Sequence, residues 1–203
     1  ANDFAIVSGT SFAAPIVAGV IALMLEANPR LGYRDVQEIL TISSRKIDLT
    51  TSGWDTNGAT NWIGGANLVS HDFGFGLVDA HAAVRLAETW TTTRTAANEA
   101  VIAISGTFDD GTLTDYLPRQ YITTVSAEHS QFSIDWVEID ISMQHSRNGD
   151  LRIELISPSG TRSILLDRPT VGMNTLSILN FTFSTTHDWG ESRVGDWTLS
   201  VSD

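Results

Sequence analysis

Gly9-Thr10-Ser11-Phe12-Ala13-Ala14-Pro15-Ile16-Val17-Ala18-Gly19-Val20-Ile21-Ala22-Leu23-Met24-Leu25-Glu26-Ala27 is the stretch that decides the architecture. From Ile16 to Leu25 it is apolar on every face, the mark of a helix buried all round inside a large domain. The pattern predicts a helix from Ser11 to Ala27, with Pro15 in its first turn, where a missing N–H does least harm. Gly19 costs helix propensity and is expected to let another backbone approach closely. Asn28-Pro29 ends the helix. The apolar run Phe12 to Leu25 is shorter than a bilayer requires, so no transmembrane anchor is expected.

The helix opens on Ser11, and two readings stay open for it. A serine hydroxyl is a poor nucleophile without help. A helix N-terminus offers free backbone N–H groups and a dipole that favours negative charge, both suited to the oxyanion of an acyl-transfer intermediate. Serine is equally a favoured helix cap. Ala13 stands where a Gly-x-Ser-x-Gly elbow would carry its second glycine, which argues against an α/β-hydrolase turn.

Outward from this helix, Val36, Ile39, Leu40 and Ser43 share a face in a second helix, Tyr33 to Ser43. Gly32 is its N-cap, and Arg34, Asp35, Gln37 and Glu38 lie mostly off that face. A loop from Arg45 to Ser70 holds Trp54 and Trp62. Phe73-Gly74-Phe75-Gly76-Leu77-Val78 reads as a short strand, and Asp79 caps a third helix, Ala80 to Glu88. The Thr-rich stretch Thr91 to Asn98 reads as a connector. Beyond it the period changes to two. Val137, Ile139 and Ile141 alternate with Glu138, Asp140 and Ser142, and Leu151, Ile153 and Leu155 alternate with Arg152 and Glu154. Ser157-Pro158-Ser159-Gly160 is a turn leading into Ser163 to Leu166, and Asn180 to Ser184 and Trp197 to Val201 repeat the alternation. Such spacing predicts an antiparallel β-sandwich of jelly-roll type.

Composition narrows the function. The 203 residues carry 24 acidic and 12 basic side chains, a net charge of −12, with both halves acidic. That excludes nucleic acid and anionic membrane surfaces as expected partners, since phosphate binding needs clustered Lys and Arg. With no cysteine there is no disulfide scaffold, thiolate metal site or cysteine nucleophile.

Gly9 to Pro15 resembles the serine motif of subtilisin-like proteases, Gly-Thr-Ser-x-Ala-Ala/Ser-Pro. Leu25-Glu26-Ala27-Asn28-Pro29, Arg34-Asp35-Val36-Gln37, Phe73-Gly74-Phe75-Gly76 and Asp79-Ala80 are similar to the kexin/proprotein-convertase branch. The second half resembles that branch's P (Homo B) domain in three blocks. These are Gly149-Asp150-Leu151, Leu155 to Thr161, and His187-Asp188-Trp189-Gly190-Glu191 with Gly195-Asp196-Trp197-Thr198-Leu199. The resemblance implies an α/β remnant of a subtilisin-like catalytic domain over residues 1–93, followed by a jelly-roll P domain over 94–203 that lacks its last strand. It implies a secreted, calcium-dependent serine endopeptidase acting on protein or peptide substrates. Ser11 would be the nucleophile, with its own backbone N–H as one oxyanion donor. The family's Asp, His-Gly and oxyanion Asn motifs precede the serine and are absent from residues 1–10; Asp3 lies too close in sequence to serve as the triad Asp. The chain alone is therefore expected to be inactive and to depend on the missing N-terminal part of the catalytic domain. An exposed apolar patch and poor solubility are expected with it.

Other candidates are weaker. His71, His81, His129, His145 and His187 are scattered, without a His-Gly motif or metal spacing. The resemblance makes His187 a structural residue. Asp109, Asp110 and Asp115 could hold calcium in a Gly-containing loop, but no EF-type spacing supports it, and no metal ligand is assigned. Glu138 and Asp140 read as solvated surface. Trp136 and Trp189 are the tryptophans whose exposure would matter. Two rival functions stay open: a non-catalytic β-sandwich interaction module with Ser11 as a helix cap, and a sedolisin-type peptidase using a Glu/Asp pair.

Overall fold

The computed structural model describes residues 9–48, 50, 53–60, 66–91, 94–105, 113, 117–128, 130–169 and 177–203. Helices α1 (Thr10–Ala27), α2 (Tyr33–Ser43) and α3 (Ala80–Glu88) fall within a residue of their predicted spans. They belong to a first compact unit, Ala1–Thr50 with Phe75–Val101; the second comprises Thr51–Gly74 with Ile102–Asp203.

In the first unit, Val20, Met24, Leu31, Val36, Ile39, Ala83 and Ala87 form the core. Ala83 and Ala87 are fully buried, so α3 presents a small-residue face that lets neighbouring helices come close. The helix ends are bonded locally. The Asp79 carboxylate accepts from the Ala82 N–H at 3.0 Å, capping α3. Gly32 has no side chain to cap α2, and its own N–H donates to Asp35 Oδ2 at 3.0 Å. The Asn28 side chain, at the end of α1, donates to the carbonyls of Ala87 (3.0 Å) and Trp90 (3.1 Å).

The structure adds to the sequence reading or departs from it at several points. Arg34, Asp35 and Glu38 are buried, because polar partners arrive from the stretch read as a connector. Arg34 donates to the Thr95 carbonyl and Asn98 Oδ1, Glu38 pairs with Arg94 at 2.5 Å, and Asp35 Oδ1 accepts from Trp90 Nε1. The segment 73–78 is not a strand; it makes only isolated bridges, Ser70 with Gly74 and Arg45 with Leu77. A Cβ at Gly76 would sit 2.4 Å from the Arg45 carbonyl oxygen, so that glycine does serve close backbone approach. Pro15 lies inside α1, past the first turn, because the helix already begins at Thr10. Finally, α1 is buried only at Val20 and Met24, while Phe12, Ile16, Leu23 and Leu25 are exposed. Among the described residues nothing lies within 4 Å of a Cβ built on Gly19. The helix also outruns its apolar stretch, and by length and composition alone it is long and apolar enough to cross a membrane.

The second unit is antiparallel throughout. Strands β1 (Asp55–Thr56) and β2 (Leu68–Val69) form a short pair. Strands β3 (Arg119–Val125), β8 (Gly195–Ser202), β5 (Arg152–Ile156) and β6 (Arg162–Asp167) form a four-stranded sheet in the order β3-β8-β5-β6. β4 (Val137–His145) pairs with β7 (Ser177–Thr185). Both sheets contribute to one core: Ile141, Leu179 and Phe183 from one, Ile153 and Val201 from the other, with Leu151 beside them. Alternation thus places one face of each sheet inward, as in a sandwich. The turn at 157–160 closes as predicted, with Gly160 at φ +90° and its N–H donating to the Ser157 carbonyl.

Candidate active site

Ser11 is the second residue of α1 and is exposed to solvent. Its position follows from Gly9, whose φ of +138° turns the chain sharply into the helix. Gly9 is the N-cap, and no side chain caps the helix; the Phe12 N–H instead closes a tight turn on the Gly9 carbonyl at 3.0 Å. Ser11 is therefore not the cap that the bland reading of the motif requires. Its backbone N–H is among the first four of the helix, which have no intrahelical acceptor. Pro15 has no N–H, so the Ser11 carbonyl lacks its ordinary i+4 donor as well. The turn thus presents a hydroxyl and an unused donor together. Among the described residues no side chain bonds the Ser11 hydroxyl.

The other sequence candidates lie elsewhere. His81 is an exposed residue of α3. His145 ends β4, its Nε2 3.5 Å from Asp203 Oδ2 and its Nδ1 accepting from the Arg147 N–H. Glu138 and Asp140 are exposed on β4, where Asp140 accepts from the Thr182 hydroxyl. Trp136 is 38% exposed and Trp189 is buried. Asp3, Trp62, Asp109, Asp110, Asp115 and His129 lie outside the described residues.

A polar cluster that sequence reasoning did not foresee sits in the second unit. Asn57, 2% exposed, donates to the carbonyls of His187 (2.9 Å) and Trp189 (3.0 Å), and its Oδ1 accepts from the N–H groups of Ala59 and Asn67. Glu191 is fully buried. It accepts from the Gly58 N–H at 2.7 Å, the Ser157 hydroxyl at 2.6 Å and the Thr161 hydroxyl. Asp188 is also buried, and among the described residues neither carboxylate oxygen has a hydrogen-bond partner. Burial, and after it the charge of Glu191, pushes its pKa up to about 7. The signal in sequence is the compact His187-Asp188-Trp189-Gly190-Glu191 run; Asn57 and Gly58 carry none, being 130 and 133 residues away from His187 and Glu191.

These carboxylates do not form a cation cage. Among the described residues no group of three or more His, Cys, Asp or Glu side chains is placed to hold a metal ion. Glu191 is committed to three donors, which a calcium site would not supply. The described residues therefore do not fit the calcium that the resemblance implies.

Comparisons with known proteins give two matches in succession along the sequence. Residues 1–76 match the Subtilase family and residues 134–203 match the proprotein convertase P-domain. The chain is 41% identical over 199 residues to proprotein convertase subtilisin/kexin type 6 of Homo sapiens, covering 97% of this chain and 20% of that protein. It is 36% identical over 195 residues to furin of Rattus norvegicus, covering 96% and 24%. The chain thus spans about a fifth to a quarter of the length of these relatives. Among solved structures, the serine protease of Aeromonas sobria in complex with its chaperone superposes with a TM-score of 0.74 at 25% identity, over 98% of this chain and 38% of that one. With a subtilase match that carries the serine turn, followed in sequence by a P-domain match, the chain is similar to the subtilisin-like serine proteases of the kexin/proprotein-convertase type.

Proposed function

We propose that this chain is part of a serine endopeptidase that hydrolyses peptide bonds through an acyl-enzyme on Ser11. The observation that carries the reading is the exposed Ser11 on the Gly9 turn, with its N–H unused by the helix. Ser11 Oγ attacks the scissile carbonyl carbon, and its proton passes to a histidine base supplied by the rest of the catalytic domain. That base then protonates the leaving amine, and water releases the acyl group. The Ser11 N–H stabilises the oxyanion at each stage.

On this reading residues 1–93 are the C-terminal part of the catalytic domain and 94–203 the P domain. The partners are a protein or peptide substrate and the remainder of the catalytic domain. A secreted location and a calcium requirement come with the family resemblance; no step above passes through calcium. In the complete protease, Ser11→Ala should lower kcat/KM by about 10⁴-fold or more while leaving the thermal midpoint within a degree or two. The 203 residues expressed alone should resist a fluorophosphonate probe, because a serine without its base stays a weak nucleophile. Stoichiometric labelling of Ser11 in the isolated chain would overturn the dependence on a base from elsewhere. Unchanged turnover in the Ser11→Ala protease would overturn the assignment itself.

A further inference from the structure

The second unit contains two histidine rings in direct contact that the proteolytic reading does not use. The His71 and His187 ring centroids are 4.0 Å apart at an interplanar angle of 59°. His71 follows β2 by two residues; His187 lies just beyond β7. His71 Nε2 accepts from the Ile164 N–H at 2.7 Å. Ile164 belongs to β6, the outer strand of the four-stranded sheet, so the imidazole covers a backbone donor on a sheet edge. An accepting Nε2 requires the neutral ring with its proton on Nδ1. The His187 ring packs against that of His71, and the Arg162 backbone, two residues before Ile164 on the same strand, favours the charged form of His187.

The bond from His71 to β6 therefore depends on charge. A proton on His71 Nε2 converts the acceptor into a donor facing the Ile164 N–H, and the bond is lost. A proton on either ring also places a charge 4 Å from the other. The groups around them do not cancel this. Burial disfavours the charged form of His71, and Arg152 on β5 adds to that; Asp55, Asp72 and Glu154 favour it. Arg152 is already engaged by Glu154 at 2.6 Å and Asp167 at 3.0 Å. For His187, burial and then His71 oppose the charge, with the Arg162 backbone and then Asp55 in favour, and its pKa falls to about 4. A cleft of about 590 Å³, lined by Gly53, Asp55, His71, Asp72 and β6 residues 164–167, brings water to the His71 ring.

We propose that His71, packed on the His187 ring, is an acid-released latch, closed when the His71 ring is neutral, that fastens the segment carrying β2 and His71 to the edge strand β6. The other end of the segment is held differently. Asn57 and Gly58 bond to no imidazole: their partners are two backbone carbonyls, Thr161 Oγ1 and the triply bonded Glu191. The latch therefore opens locally, at His71, and leaves the Asn57 anchor in place. The sign follows from linkage. The folded-state pKa of His71 lies below the ordinary 6.5, so the attachment is complete above pH 6.5 and is lost as pH falls through that lowered value.

Amide exchange followed by NMR on the full chain between pH 7.5 and 4.5, corrected for intrinsic rate, tests this. The Ile164 N–H should exchange at least tenfold faster at pH 4.5 than at pH 7.5, while the Gly58 and Ala59 amides keep their protection. Nitrogen-15 spectra of the imidazoles should show His71 Nε2 unprotonated at pH 7.5 and titrating together with the Ile164 change. In His71→Gln the amide oxygen can accept from Ile164 without titrating, and the pH dependence should flatten. The proposal fails if Ile164 protection is independent of pH, or if Gly58 is lost with it. It fails equally if His71 Nε2 carries a proton at pH 7.5, or if a folded His71→Gln chain keeps the tenfold loss. Were that variant not to fold, the wild-type tautomer and exchange profile decide the matter alone.

Discussion

At the scale of single residues, the cluster around Glu191 shows how much depends on whether a buried carboxylate finds donors. Among the described residues, Glu191 is satisfied three times over and Asp188, three residues earlier, not at all. The consequence for stability has a definite sign. The folded-state pKa of Asp188 lies above its ordinary value of 3.8, so the folded chain retains a proton that the unfolded chain releases. Stability then falls as pH rises from about 4 to about 7, and the cost is complete above that. Asp188→Asn should raise the thermal midpoint above pH 7 and change it little near pH 4. A variant melting below wild type at pH 8 would show that the ionised carboxylate is held by a partner. Neighbouring His187 acts in the opposite sense over a similar range, so the wild-type profile alone will look flatter than either group.

Among the elements, α2 is the instructive one. Its apolar positions were legible from their spacing, and so were its ends. The burial of Arg34, Asp35 and Glu38 was not, because charged residues off the apolar stripe ordinarily face water. Here Arg94, Thr95, Asn98 and Trp90 come back across the helix and satisfy them. Asp35 holds both the Gly32 N–H and Trp90 Nε1. Asp35→Ala would leave two donors without acceptors and should destabilise the helical unit by about 2 kcal/mol, read from chemical denaturation. A loss under about 0.5 kcal/mol would mean that water replaces the carboxylate at both. Strand β3 shows the same limit in a sheet. Ile122 stands on its exposed side and Tyr121 and Thr123 on the other, so the polar-apolar alternation that marks β4 and β5 is blurred. Only pairing with β8 reveals it.

For the molecule as a whole, packing and chain order divide the chain differently. Residues 51–74 fall between two parts of the helical unit in sequence, yet they pack with the sandwich. Asn57 and Gly58 explain why: their partners are His187, Trp189, Thr161 and Glu191. A second molecular consequence concerns α1, whose Phe12, Ile16 and Leu23 are each at least half exposed. Exposed apolar area of this kind drives association. The 203-residue chain should self-associate at micromolar concentration in sedimentation velocity, and Ile16→Glu with Leu23→Glu should shift it toward monomer. A wild-type chain that stays monomeric at 100 μM, on the order of typical working concentrations, would count against this.

Local chemistry in the sequence determined the three helices, the turn at 157–160, most of the sandwich strands and the serine turn. Each of these rests on short-range spacing: period 3.6, period two, a glycine where the chain must reverse, a proline in a fixed motif. Tertiary structure alone decided which polar residues are buried, where residues 51–74 pack, and which histidines meet. Those outcomes depend on partners tens to more than a hundred residues away, as from His71 to Ile164 or from Gly58 to Glu191. A hydrogen-bonding group carries no mark in sequence of the distant group that will satisfy it; only the folded chain brings the two within 3 Å.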